Sequence, residues 1–286
     1  MFLFTNWIFW ILLYLVAFVV FNQQYKIATK LMNTSGSFTV VAQIVTSAFT
    51  ILLIPFFTIR FPTDIRVYII LGISIIFYAL HDRLATTIRK GLEASTYSII
   101  NQLSNVFMII AGVLLFKEPV VWHRMLGAAL ILFSNVMIFF EKGKFRFNKY
   151  VVLAVIANLL YTCAVLIDVN LSEQFNLPFY VILTLFIPAI LITIFERIKI
   201  KDIIGEFKTG NTKSIIITSI AWSIAIVAHL KSLQLGKVTI VAPLSSLGVI
   251  LNVIVSYLFL KEKDNLFKKI IASLLVMLGI FLIKGF

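Results

Sequence analysis

Charge of either sign is scarce in this chain: Asp, Glu, Lys and Arg make up 13% of its 286 residues, where soluble globular domains carry about 25%. That scarcity excludes a soluble fold. Cysteine is rarer still. Cys163 stands alone, so there is no internal disulfide and no metal site built from a cysteine cluster. No Walker phosphate loop, no His-Glu-x-x-His and no nucleophile elbow occurs. Their absence argues against an enzyme, against ATP as an energy source and against a bound cofactor.

What the chain has in excess is apolar side chains, 61% of the total, with a mean hydropathy of +1.05. Apolar runs long enough to cross a bilayer recur from end to end. They are unbroken rather than alternating, which favours helices over a barrel. The formal charge of +13 reads as Lys and Arg flanking membrane spans, a match for a lipid bilayer and not for nucleic acid.

The expected fold is an all-α polytopic membrane protein with ten transmembrane helices, over 4–27, 38–59, 66–88, 94–116, 121–140, 149–171, 178–195, 214–235, 238–260 and 268–284. Each is near the roughly 20 residues that a bilayer demands. The first span has no basic residue before it and no small-residue cleavage site, so it reads as retained and not as a signal peptide. The longest connection, 196–213, is basic and has room for a surface turn of helix.

Two segments, "GVLLFKEPVVWHRMLGAALIL" (112–132) and "VSYLFLKEKDNLFKKIIASLL" (255–275), share a Lys-Glu pair between two long helices. Placing Lys117 on Lys261 gives an offset of 144 positions (261 − 117), which lays spans one to five on spans six to ten. Because five is odd, the halves 1–144 and 145–286 must enter the membrane in opposite senses. Inverted repeats of this kind commonly hold a substrate site at mid-membrane, between the halves.

Within "FYALHDRLATTIRK" (77–90), His81, Asp82 and Arg83 follow an uncharged run from Val67 to Leu80. The offset maps them onto Ala225, Ile226 and Val227, inside the eighth span. The triplet is therefore expected within the third span and not as its cap, and ionisable groups there mark function.

The stretches "FKEPVVWHRMLGAALIL" and "VAPLSSLGVILNVIVSYLFLKEKDNLFKKIIASLLVMLGIFL" resemble the EamA-like group of the drug/metabolite transporter superfamily. Ten spans in two inverted halves, an acidic residue after the fourth and ninth spans, and Pro243 carry the likeness along the whole chain. Ile99 in place of a first-half proline, and the lack of Gly before Glu118, are departures. The resemblance implies a carrier of small organic solutes without naming one.

Polar residues fall on single helical faces: Asn158, Tyr161, Thr162 and Asp168 on the sixth span, Asn101 and Asn105 on the fourth, Trp222 and His229 on the eighth, and Gln24 opposite Asp168 by the offset. A lone polar residue is usually a helix–helix hydrogen bond, the reading given to Gln43, Ser47 and Thr50 of span two. Stripes on several spans suggest a wet cavity. Asp82, Arg83 and Asp168 facing lipid would oppose insertion by roughly 8 to 10 kcal/mol, so they are expected to face a cavity or each other, with Asp168 as the partner of Arg83. Lys231 is expected to snorkel to its helix end, and His123 to be solvated in a connection.

These residues suit a secondary transporter of a small polar metabolite (an amino acid, an amine or a related zwitterion) working by alternating access. Asp82 or Asp168 would meet an ammonium and Arg83 a carboxylate; Tyr161, Trp222, Asn101, Asn105 and Gln24 would shape the pocket. His81 and His229 would carry protons, since imidazole titrates near neutrality. A lock of fixed salt bridges between the halves is the competing structural reading. The competing function is a flippase or exporter of a lipid-linked or phosphorylated sugar. Expected partners are the bilayer of an inner (plasma) membrane, the solute, a coupled proton and a second copy of the chain. Connections after odd-numbered spans hold 17 Lys and Arg against 6 on the other side, which favours the cytoplasm for them and the outside for both termini, whereas the superfamily resemblance implies both termini inside.

Overall fold

Exposed apolar surface is the first thing the fold has to explain. On α1 (Trp7–Leu31), Ile8, Leu12, Val16 and Val20 are exposed at four-residue spacing, one stripe along a helix. α3 (Ile65–Gly91) exposes Ile69, Ile73, Ile76 and Leu80. Stripes of this size match a hydrocarbon solvent. The computed structural model describes residues 6–115, 117, 119–141, 144–145, 148–168, 171–236 and 238–284.

The remaining helices are α2 (Ser35–Ile51), α4 (Ala94–Ile100), α5 (Leu103–Leu115), α6 (Trp122–Phe139), α7 (Lys149–Asp168), α8 (Leu177–Phe195), α9 (Ile200–Glu206), α10 (Thr212–Leu235), α11 (Val238–Phe259) and α12 (Leu266–Lys284). Strands β1 (Phe140–Glu141) and β2 (Lys144–Phe145) form one short antiparallel pair. Seven spans among the described residues are long and apolar enough to cross a membrane: α1, α3, α4 with α5, α7, α8, α10 and α12. Ser35–Ile51, Trp122–Ile138 and Leu244–Phe259 are shorter apolar helices. The chain is a polytopic helical membrane protein.

Local chemistry moves several boundaries. α2 starts three residues early because Thr34 caps it, accepting from the Ser37 N–H. It stops at Ile51, and a 3-10 turn over Ile54–Phe56 follows where Pro55 offers no N–H. The fourth span is interrupted at Asn101–Gln102, where the Gln102 and Asn105 N–H groups reach back only three residues. The Ser104 hydroxyl occupies the Asn101 carbonyl, so side chain competes with helix there. α9 and the π-turn after it supply the helix expected in the long connection.

α1 packs on α10 and α11; α3 on α7 and α8; α2 on α8 and α10; α5 on α7. α6 packs on α12 and α5, and α11 on α12 and α4. At the α6–α12 crossing, a methyl group on Gly127 or on Gly279 would strike the other's carbonyl. Only glycine permits that approach.

Candidate functional site

α3 runs on through His81, Asp82 and Arg83 to Gly91. Asp82 lies nine residues before that end, about 13 Å at 1.5 Å per residue, so it belongs to the span and not to a cap. Its side chain is buried, at 8% exposure. One carboxylate oxygen accepts from Gln43 Nε2 at 2.7 Å and the other lies 2.8 Å from His81 Nδ1. His81 is itself 9% exposed, and its Nε2 has no hydrogen-bond partner among the described residues. Gln43, which reads from sequence as interhelical glue, is thus the partner of the buried acid. Ser47 and Thr50 do act as glue: Ser47 bonds the Gln43 carbonyl and Thr50 bonds Ser223 of α10.

Tyr161 of α7 sets its ring 5.1 Å from that of His81. It lies within electrostatic range of Tyr14 on α1, whose ring stacks on His229 at 4.5 Å. Residues of α1, α2, α3, α7 and α10, from both halves of the chain, therefore converge around the two imidazoles. Trp222 borders this region inside an aromatic group, 5.3 Å from Phe21 and 6.3 Å from Tyr25. Asn101 and Asn105 are half-buried at the break between α4 and α5.

Other expected members stand apart. Arg83 Nε pairs with Glu196 just beyond α8, and Nη1 donates to Thr87 at 2.7 Å. Arg83 therefore has a carboxylate partner other than the expected Asp168, whose side chain lies outside the described residues. Gln24 is half-buried, and its neighbour Gln23 makes the bonds, to Asn252 at 2.7 Å and Ser256 at 2.8 Å on α11. His123 is not solvated: it lies in α6, and Nδ1 donates to the Leu282 carbonyl at 2.8 Å. Lys231 is half-buried, its ammonium 5.5 Å from the Phe57 ring centroid. Asn158 and Thr162 tie α7 to the carbonyls of Ile100 and Ser104.

Sequence reasoning missed three buried cations, of which Lys269 pairs with Glu93. Lys26 and Arg89 count there as flanking charge, yet both are buried. Lys26 donates to the carbonyls of Arg89, Lys90 and Leu92 at 2.7, 3.2 and 2.5 Å, closing the C-terminus of α3. The position of Arg89, two turns beyond Asp82, was the available signal. Two buried carboxylates were missed as well. Glu206 accepts from the backbone N–H groups of Asn33 and Thr34 and from the Ser37 hydroxyl. Glu262 accepts from the N–H groups of Ala94 and Ser95 at 2.8 and 3.1 Å and from the Ser95 hydroxyl. Acids at these helix N-termini satisfy donors that helix geometry leaves open.

Residues 148–285 match the model of the EamA-like transporter family. Over that stretch, just under half of its length, the chain is similar to the EamA-like transporter family. The match suggests a membrane transporter of small molecules, in keeping with the apolar spanning helices. The match to this EamA-like chain ends short of the first half, where Ile99 and the residue before Glu118 depart from the family pattern. A solved crystal structure is similar over 94% of this chain and 95% of its own, at 12% identity and a TM-score of 0.55. That likeness spans both halves and shows a shared fold. No curated protein matches the EamA-like chain.

Proposed function

We propose that this protein is a secondary transporter of a small polar zwitterion, an amino acid or a related amine, working by alternating access between two inverted five-helix halves. The observation that carries the reading is Asp82. It is a buried carboxylate on a spanning helix, held by an amide and an imidazole, at a position where the offset finds Ile226 in the other half. A group that membrane insertion disfavours is retained for a task. His81, with its open Nε2, is the proton carrier coupled to it; Tyr161, Tyr14, His229 and Trp222 line the path. Gln24, Asn101, Asn105 and Asp168 complete the proposed lining, and Arg83 ties its rim to Glu196.

The helix pairings support the inverted repeat. Exchanging each span for its counterpart turns α1–α10 into α7–α3, α1–α11 into α7–α5, and α2–α10 into α8–α3, all of them observed. Lys117 and Lys261, matched by the offset, both have positive φ, 53° and 56°, the left-handed geometry that ends helices.

One feature favours a second reading, a flippase for a lipid-linked or phosphorylated sugar. A groove of about 530 Å³ between α3 and α8 is lined wholly by apolar and aromatic side chains, including Tyr68, Leu71, Phe179 and Ile187, as an acyl or prenyl chain requires. Uptake of labelled amino acids, amines and phosphorylated sugars into proteoliposomes, with and without a proton gradient, decides between them. Gradient-driven amino-acid or amine uptake supports the zwitterion carrier; exclusive movement of a phosphorylated or lipid-linked sugar would overturn it.

A further inference from the structure

Near the end of α3 lies a cation that the preceding reading leaves without a task. Arg89 is 9% exposed. Its guanidinium carbon sits 4.0 Å from the ring centroid of Tyr97, 4.7 Å from that of Tyr25 and 4.9 Å from that of Phe21. Nη1 donates to Asn22 Oδ1 at 2.7 Å. Three rings and an amide orient the guanidinium, and none of them carries a negative charge. Among the described residues no carboxylate pairs with Arg89. A desolvated cation left in that state is costly.

The usual structural explanations are already taken. A cation near a helix C-terminus neutralises its carbonyls, but Lys26 does that for α3. Packing does not require the charge either. At the offset of 144, the counterparts of Phe21, Asn22, Tyr25, Arg89 and Tyr97 are Val165, Leu166, Val169, Leu233 and Val241. By the offset, the second half carries aliphatic residues at all five positions and no charge. The caged guanidinium belongs to one half only, as Asp82 does.

The two charges also share a surface. Asp82 and Arg89 are seven residues apart, hence on one face of α3 and about 10 Å apart along its axis. Thr86 lies between them and bonds the Tyr25 hydroxyl at 2.6 Å. Tyr25 and Tyr97, two of the rings around Arg89, lie within electrostatic range of Asp82. Arg83, the guanidinium that sequence favours, already faces Glu196. Arg89 presents a flat fork suited to a carboxylate.

We propose that Arg89 receives the carboxylate of the transported solute, with Asp82 meeting its cationic end; this assignment rests on the zwitterion reading above. The test uses purified full-length protein in detergent. Thermal unfolding is followed in sodium acetate against sodium chloride at equal ionic strength, then with each standard amino acid and, for every one that binds, the amine lacking its carboxylate. In the wild type and in Arg83→Gln, acetate should raise the unfolding temperature, and amino acids should bind at least tenfold more tightly than their amines. Arg89→Gln should lose both effects. Should Arg89→Gln not fold, Arg89→Lys keeps the charge without the fork, and several-fold weaker responses are expected. No acetate response in the wild type, or an undiminished one in the folded Arg89 variants, overturns the proposal. An acetate response that depends on Arg89, with no amino acid binding, would leave the anion site standing and remove the zwitterion reading.

Discussion

Asp82 has two kinds of partner, and they separate its roles. Gln43 Nε2 donates to it at 2.7 Å, and His81 Nδ1 contacts it at 2.8 Å. Asp82→Asn keeps the volume and an acceptor for Gln43 while removing the charge. Uptake into proteoliposomes should be lost, and unfolding in detergent should change by no more than about 1–2 kcal/mol, the worth of one hydrogen bond. Uptake at the wild-type rate would take Asp82 out of the mechanism. Glu262 behaves differently, because it serves backbone donors. Glu262→Ala leaves the Ala94 and Ser95 N–H groups without their acceptor, at about 1–3 kcal/mol each, and Glu262→Gln should cost less. An unchanged melting temperature in the alanine variant would show that the cap contributes nothing.

At the scale of elements, the same carboxylate joins helices distant in sequence. Glu262 follows α11 and caps α4; Glu206 ends α9 and serves the start of α2. Lys26, on α1, closes α3. Helix ends are thus completed by groups from elsewhere in the chain, so loss of one should loosen two elements together. The α6–α12 contact rests on close approach instead. Gly279→Leu would place a branched side chain against the Gly127 carbonyl and Ile131, and overpacking of this sort typically costs about 1–3 kcal/mol. A lower melting temperature in detergent is expected, with Gly72→Leu as a control, since nothing lies within 4 Å of a methyl group at Gly72. Equal melting temperatures for the two variants would contradict the tight crossing. The expected spans fall on observed helices, seven of them long and apolar enough to cross a membrane among the described residues; the largest departures are at Asn101–Gln102 and Pro55, where side-chain competition and a missing N–H break the period.

For the whole molecule, charge asymmetry predicts orientation. Of the 17 basic residues assigned to odd-numbered connections, Lys26, Arg89 and Lys269 are buried. Excluding these three still leaves 14 against 6, a bias that predicts odd-numbered connections in the cytoplasm and both termini outside. The exposed Cys163 is the only cysteine, so a Cys163→Ser background permits single-cysteine labelling. A cysteine at Lys201 should be shielded from a membrane-impermeant reagent added outside intact cells, and one at Arg66 should react. The reverse pattern would invert the topology.

Membrane class, the helical character of the apolar runs and the presence of Asp82 inside a span were legible in the linear chain. Each depends on hydropathy and period, which are local properties that twenty consecutive residues express by themselves. Which polar group meets which was not legible. Gln43 is 39 positions from Asp82, Glu196 is 113 from Arg83 and Glu206 is 172 from Thr34. Helical periodicity assigns a residue to a face, but the neighbour of that face depends on how helices cross. Only the assembled bundle decides whether a basic residue near a helix end, such as Arg89, reaches out to lipid headgroups or turns in among three aromatic rings, because flanking charge and caged charge look alike until the helices are packed.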